Sequence, residues 1–216
     1  MFSTRLAIAI SIVSSTNAFG VTPSTTILES ATPPASIFAF PVALDQFQYE
    51  GCRFHVSQPT LVDHVGGDAG GDPGSGQLFA AIAALTSPNG FPDLTPKEFQ
   101  PLAITTFVPS MADGDKLVPL SVLLQPGDYG LIFGSGRFGA TGNGGVSRQH
   151  VETLQASFFG GSIESTTSNG VWNNDGALHN ERFLVFGTTV PEPAASTMVI
   201  LGGCIVISVN RSGRRP

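Results

Sequence analysis

The sequence predicts an all-β fold, an antiparallel β-sandwich of jelly-roll type, flanked by an N-terminal signal peptide and a single apolar helix at the C-terminus. Three observations point there. Apolar runs of strand length recur along the 216 residues, several of them alternating in polarity. Turn-forming residues separate the runs, drawn from 26 Gly and 16 Pro. No gap between runs holds the ten or more helix-forming residues that a parallel crossover requires.

The chain divides into four segments. In residues 1–18, Met1 to Arg5 make a short, singly basic start, Leu6 to Val13 are mainly apolar, and a small polar stretch ends in Ala18. That layout predicts a secretory signal peptide cut after Ala18. Residues 19–41 are rich in Ser, Thr, Pro and Ala without a sustained period, and read as a linker or irregular arm. Residues 42–189 form the predicted sandwich body. Its strands are expected at Phe47 to Ser57, Leu61 to Val65, Gln77 to Thr86, Leu102 to Val108, Leu117 to Leu124, Asp128 to Phe133, Val151 to Phe159, Gly170 to Asn173 and Glu181 to Thr188.

Alternation places Phe54 and Val56 on one face, and Leu120, Val122 and Leu124 on another shared face. Phe47 and Tyr49 fall out of phase with Phe54, so a bulge is expected at Glu50-Gly51. Thr95-Pro96-Lys97-Glu98 has an N-cap and an early Pro, but Pro101 limits it to about one helical turn. In LLQPGDYGLIF, the spacing Leu124-x-Pro126-Gly127-x-Tyr129 resembles the tyrosine corner of Greek-key sandwiches, whose hydroxyl bonds nearby backbone at a crossing between sheets.

Charge narrows the partners. Between Phe19 and Val190 the chain has 15 acidic and 6 basic residues, a net of −9, against −6 for the whole. Such a surface lacks the clustered cations that phosphate backbones need, which excludes nucleic acid. Cys52 and Cys204 fall in different segments, so no disulfide framework is expected, and Cys52 reads as a small buried side chain.

The chemical motifs are weak. Gly134-Ser135-Gly136-Arg137-Phe138-Gly139 matches a dinucleotide pattern, but Ala140-Thr141-Gly142-Asn143-Gly144-Gly145 follows and no helix starts there. Residues 135–145 read instead as a long flexible loop. In the Gly-rich stretch 66–76, Asp68 and Asp72, with Asp63 just upstream, are candidate calcium ligands, although the order fits no calcium loop and turns form there unaided. His55, His64, His150 and His179 show no zinc spacing. Glu152, Glu164 and Glu181 are isolated carboxylates, expected on the surface, and no G-x-S-x-G elbow occurs. Trp172, the sole tryptophan, is a candidate sugar-stacking platform; a core or edge position is the simpler reading.

Residues 190–216 open with Val190-Pro191-Glu192-Pro193, continue in the apolar run Ala194 to Val209 and end in Arg211, Arg214 and Arg215. Sixteen residues give about 24 Å of helix, short of a hydrocarbon core of about 30 Å. The arginines would stay cytoplasmic and leave the body outside. This tail, with the signal peptide, resembles that of the PEP-CTERM proteins of bacteria, the substrates of the membrane protease exosortase. RFHVSQPTLVDHVGG, GQLFAAIAAL, PLSVLLQPGDYGLIFGSGRFGATG and ERFLVFG also resemble a body recurrent in that group, which adds an expectation of a β-sandwich. The resemblance implies export, cutting near the Pro-Glu-Pro triplet and release to the cell surface or an extracellular polysaccharide matrix. Two functional classes follow as expectations: a non-enzymatic structural or polysaccharide-associated protein without a cofactor, or else a secreted hydrolase or calcium-dependent carbohydrate-binding module using the Gly-rich loops.

Overall fold

The structure, a computed structural model, describes residues 24–33, 42–110, 114–148, 151–152, 156–163, 169–174 and 180–191. It is all-β and antiparallel. The strands are β1 (Thr25–Glu29), β2 (Ala31–Thr32), β3 (Val42–Leu44), β4 (Gln48–Val56), β5 (Thr60–Gly67), β6 (Ala69–Gly71), β7 (Leu78–Ala84), β8 (Ala103–Phe107), β9 (Lys116–Leu124), β10 (Gly127–Gly134), β11 (Gly144–Val146), β12 (Val151–Glu152), β13 (Phe158–Ser162), β14 (Val171–Asn174) and β15 (Phe183–Thr189). Two large sheets run β1-β15-β5-β9 and β14-β13-β4-β10-β7-β8; β3-β11-β6 and β12-β2 form small ones. Among the described residues no helix is long and apolar enough to cross a membrane. The signal peptide with Ala18, and Glu192, Pro193, Arg211, Arg214 and Arg215 of the tail, lie outside the described residues.

The two large sheets share one apolar core. Val62, Val65, Leu120, Leu124, Phe183 and Val185 come from the four-stranded sheet; Cys52, Phe54, Val56, Leu78, Ile82, Leu131 and Phe133 come from the six-stranded one. Phe133 stacks on Phe183 at 5.1 Å, joining the two faces. Each fully buried aromatic or leucine contributes roughly 2 kcal/mol by leaving water. The predicted face of Leu120, Val122 and Leu124 is the one that turns inward.

The crossing from β9 to β10 takes the chain between these sheets within two residues. Tyr129 Oη donates to the Gln125 carbonyl at 2.7 Å, so the expected tyrosine corner is present and stands at a sheet-to-sheet crossing. The expected bulge at Glu50-Gly51 is absent. Strand β4 pairs without a shift from Glu50↔Phe133 to Val56↔Gly127 and from Gln48↔Ser162 to Cys52↔Phe158. The phase problem disappears because β4 is buried on both faces: Cys52, Phe54 and Val56 enter the shared core, and Tyr49 enters a second core on the outer face.

That second core holds Tyr49, Phe79, Ile132, Phe159 and Phe99. Residues 85–102 cross over it without regular secondary structure, and Thr95 caps the single turn expected there, with Phe99 N–H donating to its carbonyl at 2.8 Å. Residues 135–143 form the expected loop, with Gly136 N–H donating to the Ala140 carbonyl at 2.9 Å, whereas Gly144–Val146 is strand β11. The N-terminal arm also differs, since β1 and β2 lie inside it and β1 pairs along β15. Thr-rich β1 and the Gly-rich β6 and β11 lack the apolar alternation that would mark them in the sequence.

Candidate functional site

A groove of about 610 Å³ opens where β1 approaches β4 and β10. Ile27 and Leu28 of β1, Arg53 and His55 of β4, Asp128 of β10, Asn89 and Ser157 line it. The ladder places His55 directly opposite Asp128, and Nδ1 of the ring meets Oδ1 of the carboxylate at 2.7 Å. The His55 side chain is mostly exposed, so this pair presents polar groups to an incoming ligand.

Arg53 forms the rigid wall of the groove. Its Nε donates to the Gly90 carbonyl at 2.9 Å, Nη1 to the Ser157 hydroxyl at 3.1 Å and the Phe158 carbonyl at 2.9 Å, and Nη2 to Asn174 at 2.7 Å. The guanidinium lies over the rings of Phe91 and Phe159, 5.0 and 4.8 Å from their centroids. Burial lowers its pKa from the ordinary arginine value. With its donors spread over four partners, Arg53 holds the covering segment in place beside His55 and Asp128. The side chain that alternation alone assigns to an outer, polar face is thereby buried.

The structure does not gather the candidate calcium ligands. Asp63 accepts from Ser24 at 3.1 Å and pairs with His64 at 2.7 Å. Asp68 sits between strands, its N–H donating to the Arg182 carbonyl and its carbonyl accepting from Ser147 N–H, both at 3.1 Å. Asp72 caps a 3-10 turn at Pro73–Ser75, accepting from Gly74 N–H at 2.8 Å. No group of three or more His, Cys, Asp or Glu able to hold a metal lies among the described residues. Gly66 and Gly67 belong to β5, where a Cβ would fall on the carbonyl oxygens of Lys116 and Arg182.

Trp172 is no open platform. It is half-buried, its Nε1 donates to the Leu94 carbonyl at 2.6 Å, and it packs edge-on to Phe99 and Phe159 at 5.5 and 5.6 Å. It ties the covering segment down, as Arg137 does by donating to Pro96 at 3.1 Å. Glu181 corrects the expectation of a surface carboxylate: it is wholly buried, with Arg148 Nε 3.7 Å away. Glu164, His150 and His179 lie outside the described residues.

One buried group, Arg182, escapes a reading by pattern. Arg182 makes a two-pronged pair with Asp115 at 2.6 and 2.8 Å, a bond to Glu29 at 2.7 Å and another to the Ala31 carbonyl. Burial opposes its charge, and the two carboxylates more than offset that, so its pKa is raised. Cys52 is buried as expected, and burial pushes its thiol up to about 12. The signal for Arg182 is a lone cation heading an apolar strand, which cannot be told from a solvated strand end without its distant partners. No protein-family model matches the chain, and no curated protein matches it.

Proposed function

We propose that the protein is exported, held transiently in the membrane by its C-terminal segment, cut near Pro191 by an exosortase-type protease and left at the cell surface or in an extracellular polysaccharide matrix, where it acts as a non-enzymatic binding or structural protein. The observation that carries this reading is the order of the tail: Val190-Pro191-Glu192-Pro193, a 16-residue apolar run, then Arg211, Arg214 and Arg215. A short span with a basic stop is marginal as a permanent anchor. A cut beside Pro191 leaves β15 whole, since it ends at Thr189, and keeps the bond from Val190 N–H to the Pro59 carbonyl at 2.8 Å.

The shared core of the two large sheets favours a β-sandwich for the body, with a jelly-roll as its closest description. The polysaccharide contact is the groove beside β1, which offers Asp128, His55 and Asn89 over an aliphatic floor that includes Ile27. Sugar hydroxyls fit such a mix of acceptors, donors and apolar surface. The reading requires no cofactor. Cosedimentation of the exported protein with the extracellular polysaccharide of the producing cell tests it. Asp128→Ala and His55→Ala are each expected to weaken retention by about tenfold, the loss of one good polar contact. Retention equal to that of the unaltered protein would remove the groove from the account, and no retention at all would remove the polysaccharide.

A further inference from the structure

The groove beside β1 continues past His55. A second opening, of about 210 Å³, is lined by Thr25 and Thr26 of β1 and by Ser57 and Gln58 just beyond β4, and it shares Ile27 and His55 with the groove. Resting on the polysaccharide reading of the groove, we infer that the two openings are one cleft, which takes an inner segment of a linear glycan and selects neutral or amino sugars against uronic acids.

The order of the lining residues gives the cleft its direction. On β1, Thr25 and Thr26 line the smaller opening, Ile27 both, and Glu29 the larger. On the other wall Ser57 and Gln58 line the smaller opening, His55 both, and Arg53 the larger. Two strands from different sheets thus run antiparallel along the cleft, with Ile27 and His55 at its middle. A bulge places Ile27 there: Thr26 pairs with Phe186 and Leu28 with Val185, which leaves Ile27 out of the β1–β15 ladder. Bulges re-aim side chains in this way beside binding sites. From Thr25 to Glu29 the strand covers roughly 13 Å, the length of two or three linked pyranose rings.

The side chains set the chemistry of the ligand. The smaller opening is lined by hydroxyls and an amide, with no carboxylate, lysine or arginine among the described residues. The larger has two carboxylates, Glu29 and Asp128, and one arginine, Arg53, whose three nitrogens already donate to Gly90, Ser157, Phe158 and Asn174. A uronate would meet like charge there and no cation to receive it, whereas sugar hydroxyls and ammonium groups meet acceptors. An extended peptide fits less well. Strands β1 and β4 come within 8 Å of each other, Cα to Cα, and a strand hydrogen-bonded to both would hold them about 9.6 Å apart.

The test titrates the full chain with linear tetramers of glucose, glucosamine and galacturonic acid, and with glucose alone. The glucose and glucosamine tetramers are expected to bind about tenfold more tightly than glucose, and the galacturonate tetramer about tenfold more weakly than the glucose tetramer. Ser57→Ala with Gln58→Ala, both at exposed positions, is expected to cost the glucose tetramer about tenfold at an unchanged unfolding midpoint. Asp128→Asn is expected to narrow the gap between the glucose and galacturonate tetramers. A tetramer that binds no more tightly than glucose, or that keeps its affinity in the double alanine variant, overturns the continuous cleft. Equal binding of the glucose and galacturonate tetramers overturns the selection, and no binding of any tetramer overturns both. Retention on the producing cell's own polysaccharide that falls with Asp128→Ala keeps the groove in place whatever the tetramers do, so the two readings fail separately.

Discussion

Tyr129 fastens the crossing from β9 to β10 with a single hydrogen bond to the Gln125 carbonyl. Removing the hydroxyl leaves the ring packed 5.8 Å from Phe54, so Tyr129→Phe isolates that bond. Gln125 is exposed and its carbonyl can recover water, which limits the cost to about 1 kcal/mol in denaturant unfolding. No loss of stability would show that the turn holds without the corner. At Cys52 the folded thiol keeps its proton to about 12, whereas an unfolded one loses it near 9.0. The folded state therefore binds more protons in that window, and this residue's contribution falls as pH rises from 9 toward 12. Cys52→Ala is expected to flatten the alkaline loss of stability; an unchanged slope would contradict the burial argument.

At the scale of elements, Arg182 joins β1 to the body through Glu29 and Ala31 while gripping Asp115. Arg182→Ala leaves two partly exposed carboxylates that can be solvated, so the global cost is about 2 kcal/mol rather than that of a stranded buried charge. The local effect is sharper: amide exchange is expected to rise along the β1–β15 ladder and stay slow in β10. Uniform acceleration would mean that β1 has no separate fastening. The elements legible in the sequence are those with apolar runs, β4, β5, β7 to β10, β14 and β15, and the tyrosine corner, whose signal is local. Strand β1 was hidden because Thr25-Thr26 sits in a Ser/Thr/Pro-rich arm, and β11 because glycines read as loop. The groove was hidden for a different reason: Arg53 and Asp128 are 75 positions apart, and only the β4–β10 register brings Asp128 beside His55. The doubly buried β4 likewise needs the covering segment 85–102, which no alternation within β4 can announce.

For the whole molecule, the pieces assemble into an acidic body with a groove beside β1 at one edge of the four-stranded sheet and, among the described residues, β9 at its other edge. The proposed role in an extracellular matrix puts the polysaccharide contact on the β1 side. That role depends on the body reaching the outside, which makes the fate of the tail the central claim. Intact mass spectrometry of the protein recovered from outside the producing cell measures that fate directly. The account predicts a chain that begins at Phe19 and ends near Pro191. An extracellular chain that still carries Arg214 and Arg215 would contradict it.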